Sequence, residues 1–169
     1  MAKKPRFFDD LAVGMVFRSG VIGIDESEVL AFARRYDPQP YHLSHEAGKA
    51  SLFDGLAASG WQTAALVMRL FVNMAPYGSL PILGRGVEEL RWLSPVRPGD
   101  SLRAEGEVLA LTPSQTRPDR GVVRMMVTAF NQSDRAVYSF IPTTIVPCRG
   151  ADLSVWPQLG LDAELPLAG

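Results

Sequence analysis

A chain of 169 residues, 47% hydrophobic and 21% charged, is long enough for a single domain with a sizeable core and too apolar for default disorder. Its formal net charge of −1 argues against nucleic acid or an anionic membrane as the main partner. Cys148 stands alone, the first residues lack the apolar stretch of a secretory signal, and no apolar run reaches the roughly 18–20 residues of a membrane span; the expectation is a cytoplasmic protein.

Residues 12–24 read as a short, glycine-interrupted strand. Asp25 then opens a helix, with Glu28 three positions on as the acidic partner of a capping box. Val29, Phe32, Ala33 and Tyr36 recur at helical spacing and predict one apolar stripe. The Asp37-Pro38 step ends the helix, because a proline drives the residue before it out of the α region. Tyr36-Asp-Pro-Gln-Pro-Tyr-His42 follows, a stiff looping segment that sets one acid and one imidazole five residues apart.

A short helical piece over 44–50 and a loop at Phe53-Asp54-Gly55 lead to a second helix entered through Ser59-Gly60-Trp61 and running to Val72. That helix is apolar almost all round, which predicts burial on most sides. Trp61, Met68, Phe71 and Met74 are accordingly expected in the core. Strand-like segments over 86–93, 101–111, 121–130 and 136–146 supply the wrapper. The clearest alternates Leu102, Ala104 and Val108 with Arg103, Glu105 and Glu107. Their turn-rich connections predict antiparallel pairing, and Pro142 predicts a bulge or an unpaired edge. The fold class expected is α+β: one long antiparallel sheet curled around a central helix over residues 1–147, then a Pro/Gly-rich tail over 148–169. Such a sheet has edges to cover, so a homodimer or higher homo-oligomer is expected.

Asp37 and His42 are the candidates for chemistry, as a pair able to hold one water. Each also has a plain structural reading, since Asp before Pro commonly caps a turn and loop histidines are commonly solvated. His42 and His45 form His-x2-His, but Glu46 is the sole adjacent acid and metal sites need three or four convergent ligands, so no metal is predicted. Cys148 has no neighbouring base and is not a predicted nucleophile. Ser59 suits a helix N-cap, and Gly60 would present one of the unpaired N–H groups at the positive end of the helix dipole.

Three segments carry a family resemblance: Phe32-Ala-Arg-Arg-Tyr-Asp-Pro-Gln-Pro-Tyr-His42, Leu52-Phe-Asp-Gly-Leu-Ala-Ala-Ser-Gly-Trp61, and Leu90-Arg-Trp-Leu-Ser-Pro-Val-Arg-Pro-Gly-Asp100. Together they resemble the MaoC-like dehydratases, relatives of (R)-specific enoyl-CoA hydratases with the hot-dog fold, in order over roughly residues 7–147. The Asp-x4-His element is the specific part. The resemblance implies a dimer acting on an acyl thioester of coenzyme A or, less often, of acyl carrier protein, with coenzyme A entering only as part of the substrate and no separate cofactor. It places catalysis on Asp37, His42 and the Gly60 N–H, and substrate contacts on Gln39, Ser59 and Trp61. The edge of the Trp61, Met68, Phe71 and Met74 set would line an acyl tunnel. Arg85, Arg91, Arg97 and Arg103 are open to two readings, phosphate partners of coenzyme A or ordinary strand residues paired with Glu88, Glu89 and Glu105, with the second favoured. Three departures stand out: many relatives carry Asn at Gln39 and a His-Gly pair at Ser59-Gly60, and a serine found further along the helix in some hydratases falls at Met68.

Hydration of a 2-enoyl thioester needs a base for the water, a proton for the α-carbon, and a donor for the enolate-like oxygen. His42 suits the first, since an imidazole titrates near pH ~6.5. Asp37 would hold the same water and act at the α-carbon, and Gly60 suits the third need. A thioesterase on the same architecture is the alternative, disfavoured because residues 59–73 contain no Asp or Glu. A non-catalytic acyl-thioester-binding module is the other.

Overall fold

The computed structural model describes residues 4–154. Beyond a single 3-10 turn at Phe8–Asp10, the elements run β1 (Val16–Gly23), α1 (Glu26–Tyr36), α2 (Pro40–Leu43), α3 (His45–Lys49), α4 (Gly60–Met74), β2 (Leu83–Trp92), β3 (Ser101–Pro113), β4 (Arg120–Phe130) and β5 (Ala136–Pro147). All strand pairs are antiparallel, in the order β1-β3-β4-β5-β2, so β1 and β2 are the sheet's edges. The expected succession of strand, helix, irregular segment, long helix and four strands is the one observed. The expected tail lies mostly outside the described residues; its start is tied down, with Cys148 N donating to Asp119 O at 2.7 Å and Arg149 N to Asp9 Oδ2 at 2.7 Å.

The core lies between α4 and the sheet. Alternation decides which side chains face it: Leu102, Ala104 and Val108 of β3 and Val123, Met125 and Val127 of β4 are fully buried, while Arg103, Glu105 and Glu107 point the other way. From α4 come Val67, Leu70, Phe71 and Met74, with the Phe71 ring edge-on to Phe140 of β5 at 6.2 Å. Gly106 of β3 makes room at the helix's far end. A Cβ there would stand 2.8 Å from Met125 Sδ and 3.3 Å from Met74 Sδ.

Two expectations are corrected, and for Pro142 the edge alternative fails while the bulge alternative is met by register shifts on either side of its pairing. Helix α4 is not enclosed all round: Trp61, Ala65, Met68 and Val72, spaced to fall on one stripe, are exposed, so Trp61 and Met68 are not core residues of the single chain. In α1, Val29 and Ala33 are buried, but Tyr36, the last residue of the helix, is exposed and packs its ring on Phe32 at 5.0 Å. Pro142 lies in an interior strand, β5, paired with Val87 on the β2 side. On the β4 side pairing passes from Arg124–Thr143 to Val127–Phe140, and the register shifts nearby fall in β2. The strand accommodates the missing N–H within irregular pairing rather than at an edge. No helix among the described residues is long and apolar enough to cross a membrane.

Candidate active site

Local chemistry delivers the ends of α1, α2 and α4 to one place. Asp25 starts α1, its carboxylate accepting the N–H groups of Ser27 and Glu28 at 2.8 and 3.2 Å, while Glu28's own side chain is exposed. Pro38 stops it, leaving Asp37 at φ −148°, ψ 68°, outside the α region as expected. The stiff segment after it is not all loop. Pro40 takes the first position of α2, where its fixed φ suits a helix and no N–H is required, and this single turn carries His42.

The result brings Asp37 Oδ2 and His42 Nε2 to 3.5 Å. His42 is almost wholly buried, its ring edge-on to Tyr41 at 4.6 Å and near Phe53 at 5.9 Å. Its other nitrogen, Nδ1, lies 2.7 Å from the Ala57 carbonyl oxygen. A carbonyl only accepts, so Nδ1 carries the proton and, in the neutral ring, Nε2 presents a lone pair toward Asp37. Both oxygens of Asp37 are held from the far side. Oδ1 accepts from Gln39 Nε2 at 2.8 Å, and Oδ2 accepts from Ser59 Oγ at 2.6 Å. An ionised carboxylate only accepts, so the amide turns its Nε2 to Asp37, and the Tyr41 hydroxyl donates to the Gln39 Oε1 left on the other side. Burial pushes the Asp37 carboxyl up, but the Ser59 and Gln39 hydrogen bonds and the nearness of His42 outweigh it and hold it below the usual carboxylate range.

Ser59 is also the N-cap of α4, accepting the Trp61 N–H at 3.2 Å, and is completely buried. Its side chain is committed to Asp37 and the helix. Gly60 is the first helical residue, so its N–H has no intrahelical acceptor. A Cβ at Gly60 would lie 2.5 Å from Trp92 Nε1, which gives this glycine a packing reason as well. Trp92, at the end of β2, is half-exposed, edge-on to Trp61 at 5.2 Å and 6.4 Å from the Tyr138 ring.

The Pro-Val-x-Pro-Gly-Asp turn supports the segment between α3 and α4. Val96 O accepts from Ala58 N at 2.8 Å, and the Arg97 guanidinium donates to the carbonyls of Phe53 and, at 3.4 Å, Leu56. The turn closes on itself through Arg97 N to Asp100 Oδ2 at 2.8 Å, with Gly99 at φ +88°. These bonds hold the stretch that brings the Ala57 carbonyl to His42 and Ser59 to Asp37.

The remaining candidates lie elsewhere or are engaged. His45 Nε2 meets Glu26 Oε1 at 3.0 Å, on the surface. Arg103 pairs with Glu105 and Asp134 at 2.7 and 2.9 Å, and Arg91 lies 3.6 Å from Glu89. The Cys148 thiol is pushed up by burial and by Asp9 and Asp119, away from thiolate character. Sequence reasoning missed the Ala57 carbonyl, which has no side-chain signature, and the supporting roles of Tyr41, Phe53 and Trp92. Trp92 stood within the third resembling segment, but nothing local to it pointed at Gly60.

The MaoC like domain family matches residues 8–129, well over half the chain. A MaoC-like dehydratase from Rhodospirillum rubrum superimposes with a TM-score of 0.78 at 46% identity, covering 85% of this chain and 97% of that one. The R-hydratase PhaJ1 of Pseudomonas aeruginosa gives a TM-score of 0.68 at 26% identity, covering 85% and 87%. The mesaconyl-CoA hydratase of Cereibacter sphaeroides is 30% identical over 142 residues, 83% of this chain but only 41% of that protein's length. The antiparallel sheet with its long helix is thus the hot-dog fold of these proteins. Motif order, sheet topology and matched span agree: the chain belongs to the MaoC-like dehydratase family.

Proposed function

We propose that this protein is a hydro-lyase that adds water to, or removes it from, a 2-enoyl thioester of coenzyme A, with the (R) preference named for its hydratase relatives. The observation that carries this reading is the approach of His42 Nε2 to Asp37 Oδ2 at 3.5 Å. A water can sit beside that pair within hydrogen-bond reach of both atoms, one of its hydrogens directed at each acceptor. In hydration the water oxygen bonds to the β-carbon as the pair takes its proton. The double-bond electrons move toward the thioester oxygen, where the Gly60 N–H receives the developing charge. The proton then passes from the pair to the α-carbon, so the pair ends as it began. Asp37 and His42 face each other at 3.5 Å, so the proton in transit belongs to the pair rather than to one partner.

Gln39, which donates to Asp37 Oδ1, and Trp61, whose backbone N–H donates to Ser59 Oγ, are both exposed and are the proposed substrate contacts. The exposed apolar stripe of Trp61, Ala65, Met68 and Val72 on α4, together with the open sheet edges β1 and β2, supports a homodimer that covers exposed apolar and edge surface. A thioesterase reading keeps one observation in its favour: although α4 carries no acid, Asp37 reaches its N-terminus through Ser59.

Spectrophotometric hydration of enoyl-CoAs of several lengths and branch patterns, with chiral analysis of the product, tests the proposal. Asp37→Asn and His42→Ala are each expected to lower turnover by about 10²–10⁴-fold with the fold intact. Parental rates in both variants would refute the mechanism. Release of free thiol from acyl-CoAs in place of hydration would establish the thioesterase.

A further inference from the structure

We infer that Ser59 is the positioning residue of the site: its hydroxyl aims the Asp37 carboxylate and ties it to the amide at the start of α4. Ser59 and Asp37 are 22 residues apart, yet Ser59 Oγ lies 2.6 Å from Asp37 Oδ2 and has no exposed surface. A hydroxyl has one hydrogen and two lone pairs. One lone pair of Ser59 is taken by the Trp61 N–H at 3.2 Å, so the hydrogen has Asp37 as its acceptor. Were Asp37 protonated on Oδ2, the serine would have to accept from it as well, stranding its own hydrogen in a fully buried position. The serine therefore favours the ionised carboxylate, and Gln39 Nε2, 2.8 Å from Oδ1, acts in the same sense. His42, at 3.5 Å, is the titratable group that faces Asp37. Ser59 directly precedes Gly60, so one peptide unit sets where the proton-handling group stands relative to the N–H proposed for the thioester oxygen. This differs from a substrate contact, the role expected for Ser59 from the family resemblance.

The kinetic consequence rests on the hydro-lyase reading; the charge state of Asp37 does not, which lets the two be tested apart. The Asp37 carboxyl is titrated by carbon-13 NMR in the parent, Ser59→Ala, Ser59→Gly and Ser59→Thr, with Asp37→Asn assigning the signal, and kcat and KM are followed over the same pH range. Removing a hydrogen bond that favours the charged form raises the titration point, so Ala and Gly should each move it up by about one pH unit and Thr should restore it. The acid limb of kcat/KM should rise in parallel, with kcat falling about tenfold and KM little changed. A capping role alone predicts something else: Gly is tolerated at an N-cap far better than Ala, so Ala and Gly would differ in stability and leave Asp37 where it was. An unmoved Asp37 titration in both variants overturns the inference. If Ser59→Ala does not fold, the Gly and Thr pair decides it. If the parent hydrates no enoyl thioester, the hydro-lyase reading falls while the NMR comparison still decides Ser59.

Discussion

Replacing Gly60 with Ala tests how closely β2 packs on the start of α4. The added Cβ would stand 2.5, 2.8 and 3.0 Å from Nε1, Cε2 and Cδ1 of Trp92, against a comfortable carbon contact of about 3.5–4.0 Å. An overlap near ~1 Å must be relieved, and the half-exposed indole has room to swing outward, giving up its edge contact with Trp61. Overpacking of this sort costs about 1–3 kcal/mol. It is opposed by about 0.4–1 kcal/mol from the stiffer unfolded chain, since Gly60 is not in the left-handed region and Ala fits its backbone. The net is about 0–2.6 kcal/mol, centred on ~1.3, a fall in Tm of roughly 3–5 °C at that centre for a chain of this size. The assay is a double-mutant cycle by thermal or urea denaturation with Trp92→Ala as the second change. In that background Gly60→Ala should cost nothing or stabilise, giving a coupling of about 1–3 kcal/mol. An equal penalty with and without the indole would refute the packing argument. Enoyl-CoA hydration in the double variant adds a second reading: activity still depressed after the clash is removed would assign the loss to the methyl group beside the amide.

Two further perturbations probe what surrounds the site. Arg97→Ala removes the donors to the Phe53 and Leu56 carbonyls and should raise hydrogen exchange at Ala57 and Ala58 while costing about 1–3 kcal/mol globally; unchanged exchange there would mean the turn does not support the segment. Met68→Lys with Val72→Glu places charges on the open stripe of α4 and should convert a dimer to monomers in light scattering, with the far-UV spectrum retained. A dimer that survives both charges must be joined through another face.

What this sequence determined by itself is whatever depends on residues within about a helical turn of one another. Asp25 caps α1 because its carboxylate reaches the N–H groups two and three residues on, Pro38 ends that helix by its effect on Asp37, and Ser59-Gly60 begins α4 for the same local reasons. The alternation in β3 likewise named its buried face, since successive side chains point to opposite sides. The pairing of Asp37 with His42 was legible for a similar reason, five residues apart across two prolines. Tertiary structure decided the rest, because no rule of spacing says which distant surfaces will meet. It left a stripe of α4 that includes Trp61 and Met68 uncovered where hydrophobicity alone implied core positions for both, and it placed β2 beyond β5 so that Pro142 became interior. It also closed the 15 residues from His42 to the Ala57 carbonyl and the 22 from Asp37 to Ser59. Those two contacts fix the protonated ring nitrogen of His42 and the aim of the Asp37 carboxylate, and both arise from the packing of α1, α2 and the entry to α4 against one another.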